Sequence, residues 1–156
     1  MTYVDAIESE IKLSGEEAAF VGGATDEVIA AFEAALGVEF PVSYKLFLKK
    51  FGAMSFAGDT YYGITKSGLE ATAVPSVLFA TKTARDRGDA DSAMIVVKAS
   101  GYGPIFSIDT SQLSPSGEAV VVLTELSFKR DGAKEVMYES FEAFFCDTIR
   151  TAIAEL

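Results

Sequence analysis

The chain reads as a single α+β domain, with a mainly antiparallel central sheet, helices at both termini and one helix between strands. Three observations lead there. Apolar residues recur at helical spacing over residues 2–13, across residues 24–52 and from Ser140 to the end of the chain. β-Branched and alternating runs cluster between Met54 and Tyr138, punctuated by turn residues. No repeat, low-complexity tract or linker divides the 156 residues, a length at which a chain buries roughly 70% of the surface it would expose unfolded.

Taken in order, Tyr3, Ile7 and Ile11 lie four residues apart and predict a short amphipathic helix with Thr2 as its cap. Residues 14–23 read as a loop broken by Gly22 and Gly23, with Phe20 and Val21 set to tuck against the helix that follows. Residues 24–52 are the most distinctive stretch. Thr25 can cap a helix whose first turn carries Asp26 and Glu27, placing negative charge where backbone N–H groups lie unpaired. Val28, Ile29, Phe32 and Leu36 form its apolar stripe. Gly37 is the residue type that stops a helix in the left-handed conformation, and Pro41 the type that opens the next. Tyr44, Phe47, Leu48 and Phe51 then mark one face of a second helix, closed by Gly52.

Beyond Gly52, residues 54–65 predict two short extended pieces joined around Gly58 and Asp59, the second carrying Tyr61, Tyr62 and Ile64. Pro75 is placed to open a helix running to about Arg87, with Val74, Val77, Leu78 and Thr81 on one side. A charged turn with Asp86, Gly88, Asp89 and Asp91 ends it. Residues 94–98 and 105–109 are strands flanking the turn residues Ser100, Gly101, Tyr102, Gly103 and Pro104. After another turn at residues 114–118, residues 119–123 form an apolar β-branched run, expected as a central strand buried on both faces. Leu126 and Phe128 alternate with polar neighbours up to Asp131 and Gly132, and Val136 and Tyr138 alternate after them, which predicts a tight hairpin. Ser140 can cap the clearest helix of the chain, with Phe141, Phe144, Phe145, Thr148, Ile149, Ala152 and Ile153 at helical spacing.

The chemistry is bounded mostly by what is missing. The chain has no histidine, which removes Ser-His-Asp and Cys-His nucleophile systems and every His-ligated metal site. Its one cysteine, Cys146, cannot build a thiolate site and reads as a buried structural thiol. Neither phosphate-cradling glycine motif occurs, and Gly101-Tyr102-Gly103 lacks the third glycine and the following helix, so it reads as a turn. Asp86, Asp89 and Asp91 lie beside Arg85 and Arg87, where charges are ordinarily solvated. Nothing signals a pocket that would shift a carboxylate toward general acid or base work. No catalytic residue, cofactor or metal ligand is therefore expected. No apolar run approaches the roughly 20 residues of a membrane span, and the first residues are acidic without a basic n-region, so the expectation is a cytoplasmic protein.

Thirteen Lys and Arg against 23 Asp and Glu give a formal net charge of −10. An acidic surface repels nucleic-acid phosphate and suits a basic protein partner, although excess acid also serves solubility. Tyr61 and Tyr62 alternate across a strand, so one points inward and the other outward. An exposed tyrosine beside acids makes an interface anchor, with apolar area and a hydroxyl in one side chain. The candidate protein-binding residues are Asp59, Tyr61, Tyr62, Tyr102 and Asp109.

The distinctive stretch, through Ile29, Phe32, Glu33, Leu36, Gly37, Phe40, Pro41, Tyr44, Phe47, Leu48 and Gly52, resembles the SUKH superfamily. That family has a helix, a Leu-Gly stop, a Leu/Phe-Pro step and a Tyr-x-x-Phe-Leu helix ending in glycine. Tyr62-Gly63-Ile64, Thr83 with Arg85, Ile108-Asp109-Thr110 and Ser140-Phe141-Glu142-Ala143-Phe144 resemble its later motifs in order, over residues 24–153. One departure is Phe51-Gly52-Ala53, where members commonly have Asn-Gly-Gly. The resemblance implies a noncatalytic protein-binding domain, in bacteria chiefly an immunity protein that neutralises a polymorphic or contact-dependent toxin, frequently a nuclease. It also admits a regulatory or scaffold role toward a cellular protein.

Overall fold

The computed structural model describes residues 2–126 and 133–156. The chain runs α1 (Tyr3–Leu13), β1 (Ala19–Phe20), α2 (Asp26–Leu36), α3 (Val42–Phe51), β2 (Met54–Phe56), β3 (Asp59–Tyr61), a 3-10 turn (Gly68–Glu70), α4 (Val77–Arg87), β4 (Met94–Ala99), β5 (Ile105–Leu113), β6 (Ala119–Thr124), β7 (Glu135–Tyr138) and α5 (Phe141–Ala154). The expected α+β class holds, with the strands divided between two antiparallel sheets, β1-β2-β3 and β4-β5-β6-β7. A main-chain bond from the Tyr62 N–H to the Val97 carbonyl, 2.8 Å, connects β3's end to β4. The turn read at Asp131 and Gly132, and Phe128 before it, lie outside the described residues.

Local chemistry sets the helix ends. Thr25 accepts a hydrogen bond from the Val28 N–H at 3.3 Å, and Gly37 stops α2 at φ 67°. Ile29, Phe32 and Leu36 are its buried face, while Val28 is exposed. Ser140 caps α5 by accepting from the Ala143 N–H at 3.0 Å. Pro75 does not open α4. The Ser76 hydroxyl accepts from the Phe79 N–H at 3.3 Å and so becomes the cap, while the Pro75 carbonyl accepts from the Gly63 N–H at 2.9 Å. Val74 is left exposed, with Val77, Leu78 and Thr81 buried.

Two further expectations shift. Residues 14–23 contain β1, in which Ala19 and Phe20 pair with Ser55 and Met54, a contact too short to leave a periodicity in sequence. Phe20 meets Phe51 of α3 edge-on at 5.5 Å. The β2–β3 turn falls at Ala57 and Gly58, both at positive φ, so Asp59 starts β3 opposite Phe56.

The main core lies between α1, α2, α3, α5 and one face of the larger sheet. Phe47 sits at its centre, with the rings of Tyr44, Phe51, Phe141 and Phe145 at 5.9, 5.8, 5.3 and 5.3 Å. A smaller cluster fills the other face under α4, through Ala80, Ala84, Met94, Val96, Val120 and Val122. Val121 joins the main core, so β6 is buried on both faces as expected.

At the end of α3 three stretches of backbone converge. Gly22 and Ala24 donate to the carbonyls of Phe51 and Leu48, each at 2.9 Å, and Ile64 donates to the Gly52 carbonyl at 2.9 Å. A Cβ on Gly63 would lie 1.7 Å from the Gly52 oxygen, and one on Gly52 2.3 Å from the Gly22 oxygen. Ala53 is buried at negative φ and bridges the same junction, its carbonyl accepting from Val21 at 3.1 Å.

Two substitutions test this core in urea denaturation. Phe47→Ala should cost about 3 to 5 kcal/mol. Gly63→Ala, whose new methyl would collide with the Gly52 backbone, which cannot yield as a flexible side chain could, should cost about 2 kcal/mol or more. A near-unchanged midpoint in either variant would contradict the packing described.

Candidate functional site

Asp59 and Tyr62 come together with Lys98, Ser100 and Gly101 where the β2–β3 and β4–β5 turns face one another. Asp59, first in β3, pairs through Oδ1 with the Lys98 Nζ of β4 at 3.2 Å. Lys98 is buried along its length, donates to the Ala99 carbonyl at 3.2 Å and holds its ammonium 5.7 Å from the Phe106 ring centre. Beside this pair opens a groove of about 460 Å³ whose walls include Ser55, Asp59, Tyr62, Lys98 and Ser100. Tyr62 is half-buried, and burial raises the pKa of its hydroxyl. Its carbonyl accepts from the Tyr44 hydroxyl at 2.8 Å, which ties the groove wall directly to α3. Tyr102 is not among the residues lining this groove; it is 74% exposed and follows Gly101, which is.

Asp59 also lines a second groove, of about 500 Å³, on its other side, with Tyr138, Asp147, Thr148 and Glu155. The Tyr138 hydroxyl donates to Asp147 Oδ2 at 2.7 Å, and burial, with that carboxylate beside it, pushes the phenol up to about 12. The residues lining this groove include three acids and no Lys or Arg. Asp59 thus sits on a ridge with tyrosines to either side and acidic groups along one flank.

Two of the expected binding residues are elsewhere. Tyr61 is the inward member of its pair, fully buried, with its ring 5.0 Å from Phe145 and 6.0 Å from Phe144 and its hydroxyl 2.6 Å from Thr148 Oγ1. Asp109 is also fully buried. Its carboxylate accepts from the Ser111 N–H and hydroxyl at 3.1 and 2.6 Å, from Gln112 at 2.8 Å and from Lys134 at 3.0 Å, and Lys134 reaches Asp91 at 2.7 Å. Burial alone would raise the Asp109 pKa, but these donors outweigh it and hold the carboxyl below its ordinary value. Neither side chain is exposed at the surface where a partner would meet it. Both lock elements together, since Thr110 next to Asp109 likewise bonds the Ala93 carbonyl at 2.7 Å.

Among the described residues no group of three or more His, Cys, Asp or Glu side chains could hold a metal ion, and no helix is long and apolar enough to cross a membrane. The surface as described offers recognition groups.

Residues 26–145 match the family model described as SMI1-KNR4 cell-wall, SUKH_6. The chain belongs to this SUKH family. Among curated proteins none matches it. The family match runs from the first residue of α2 to Phe145 in α5, so it takes in the α2–α3 corner, both turns and Asp59, and leaves α1 outside. In this SUKH domain the motif residues Gly37, Phe40, Pro41, Tyr44, Phe47 and Gly52 build the corner, and Arg85 staples it by donating to the carbonyls of Leu36, Ser92 and Met94 at 2.8, 3.0 and 3.1 Å. Sequence reading missed Lys98, Tyr138, Asp147 and Glu155, because nothing local tells that β4, β7 and α5 converge on one turn.

The depressed Asp109 carboxyl stabilises the fold above the ordinary aspartate value of about 3.9 and loses that contribution as the pH falls through its own lower value. Asp109→Ala should therefore cost about 3 kcal/mol at neutral pH. The gap to the parent should narrow progressively below about pH 4. Urea titrations across that range measure it, and a gap that does not narrow would contradict the ion-pair assignment.

Proposed function

We propose that this SUKH domain is a noncatalytic protein-binding module that acts as an immunity protein, neutralising a polymorphic or contact-dependent toxin with a basic surface, such as a nuclease. The observation that carries the reading is the Asp59 ridge, flanked by Tyr62 on one side and by Tyr138, Asp147 and Glu155 on the other, with the exposed Tyr102 one residue beyond Gly101 of the first groove. Half-exposed aromatics supply area at low entropic cost, and clustered carboxylates supply complementarity to cations. Enzymes that act on phosphate backbones present basic surfaces, so a chain of net charge −10 gains fast, salt-sensitive association with them. Family membership supports protein binding in general. A regulatory role toward a cellular protein is the second reading, favoured by the cell-wall description of the family.

Co-expression with the product of the adjacent gene, followed by pull-down and a growth assay, separates the two. Binding with rescue of growth supports immunity, and binding to a non-toxic partner supports regulation. If neither binding nor protection is found, the toxin reading fails. Within a complex, Tyr102→Ala should weaken affinity by about tenfold or more without changing the melting temperature, since the ring is exposed. Glu155→Lys should slow association, with the difference shrinking as salt is raised. Unchanged affinity and rate in both would remove this face from the interface.

A further inference from the structure

A separate groove, of about 670 Å³, opens between the α2–α3 corner and the β5–β6 turn and shares no lining residue with either groove beside Asp59. Its walls include Val38, Phe40, Val42, Leu113, Glu39 and Glu118. Val42 and Leu113 are 66% and 67% exposed, large aliphatic side chains in water on a domain whose other apolar groups are well packed at this corner, where Phe40 is 2% exposed. The charged residues lining the groove are both acids, with no Lys or Arg among them.

One of those acids is held in place. Glu118 is half-buried, and its Oε1 accepts from the Ser43 hydroxyl at 2.5 Å in the first turn of α3. The second oxygen makes no hydrogen bond among the described residues. A carboxylate fixed by one oxygen and open at the other loses little entropy on meeting a donor, and partial burial strengthens the attraction. Aliphatic side chains a short distance away can cover the stem of that donor or a neighbouring apolar residue.

We propose that this groove is a second docking surface, which takes a segment of a partner protein carrying an Arg or Lys next to an aliphatic residue. The cation meets Glu118 and Glu39 while the aliphatic group covers Val42 and Leu113. This assignment goes beyond the immunity reading and does not depend on it, because it rests on another face and can be tested without any toxin.

The test uses the full chain and a soluble synthetic peptide that alternates Arg and Leu, with two counterparts in which Glu replaces Arg or Ser replaces Leu. Backbone amide shifts in two-dimensional NMR report both affinity and location. The Arg/Leu peptide should shift amides of residues 38–43 and 111–119, and each counterpart should bind about tenfold more weakly. Leu113→Ser and Glu118→Gln, the latter still able to accept from Ser43, should each weaken the peptide about threefold or more at unchanged melting temperature. Equal binding of the counterparts, or shifts centred on residues 55–62 and 98–103, would overturn the proposal. So would unaltered affinity in both variants, or self-association that shifts the same amides without peptide, which would make a second copy the occupant.

Discussion

The fold depends on a place where backbones meet with no side chains between them. The Gly52 carbonyl at the end of α3 lies so close to Gly63 that even a methyl group has no room there. The residues around it bond outward in three directions, to the segment entering α2, to the end of β3 and, through Gly63, to the Pro75 and Val77 backbone at the start of α4. Close approach without side chains lets these segments exchange hydrogen bonds that would otherwise leave buried polar groups unpaired. The aromatic core under Phe47 supplies the bulk of apolar burial. The junction sets the directions in which chains leave it, and one of them leads to the strand that presents Asp59, with Tyr62 just beyond its end.

That arrangement divides the charges into two groups. Asp109, Asp91 and Lys134 form an internal network, Arg85 spends its guanidinium on three carbonyls, and Lys98 is buried against Phe106 beneath Asp59. These groups hold loops and strands in register, and a buried pair of this kind is costly to break rather than strongly stabilising to have. The acids that remain at the surface, including Asp147 and Glu155, are those free to set the potential that an approaching partner meets. Net charge alone cannot make this division, since it counts Asp109 and Glu155 alike.

The α2–α3 corner was legible in the sequence because its signals are local. Thr25, Gly37, Pro41 and Gly52 each act within a turn of where they stand, and the stripes of Phe32, Leu36, Phe47 and Phe51 need only helical geometry. Features set by distant partners were not legible. Which of Tyr61 and Tyr62 faces inward depends on where α5 packs, since Tyr61 is taken up by Phe144, Phe145 and Thr148. Asp109 ends a strand pattern that looks solvent-facing until Lys134, 25 residues later, is brought against it. β1 is two residues long and has no pattern of its own, and Ser76 displaces Pro75 as the start of α4 because a hydroxyl in the right place satisfies an N–H that proline cannot.

The central claim is that the Asp59 ridge, carried out from the glycine junction, is the face that meets a protein partner. Hydrogen exchange of the chain alone and in complex with the product of its neighbouring gene tests it most directly. The account predicts slowed exchange concentrated at residues 55–62 and 98–103, with the core of α3 unchanged. Protection confined to other faces, with both turns exchanging as fast as in the free chain, would contradict it.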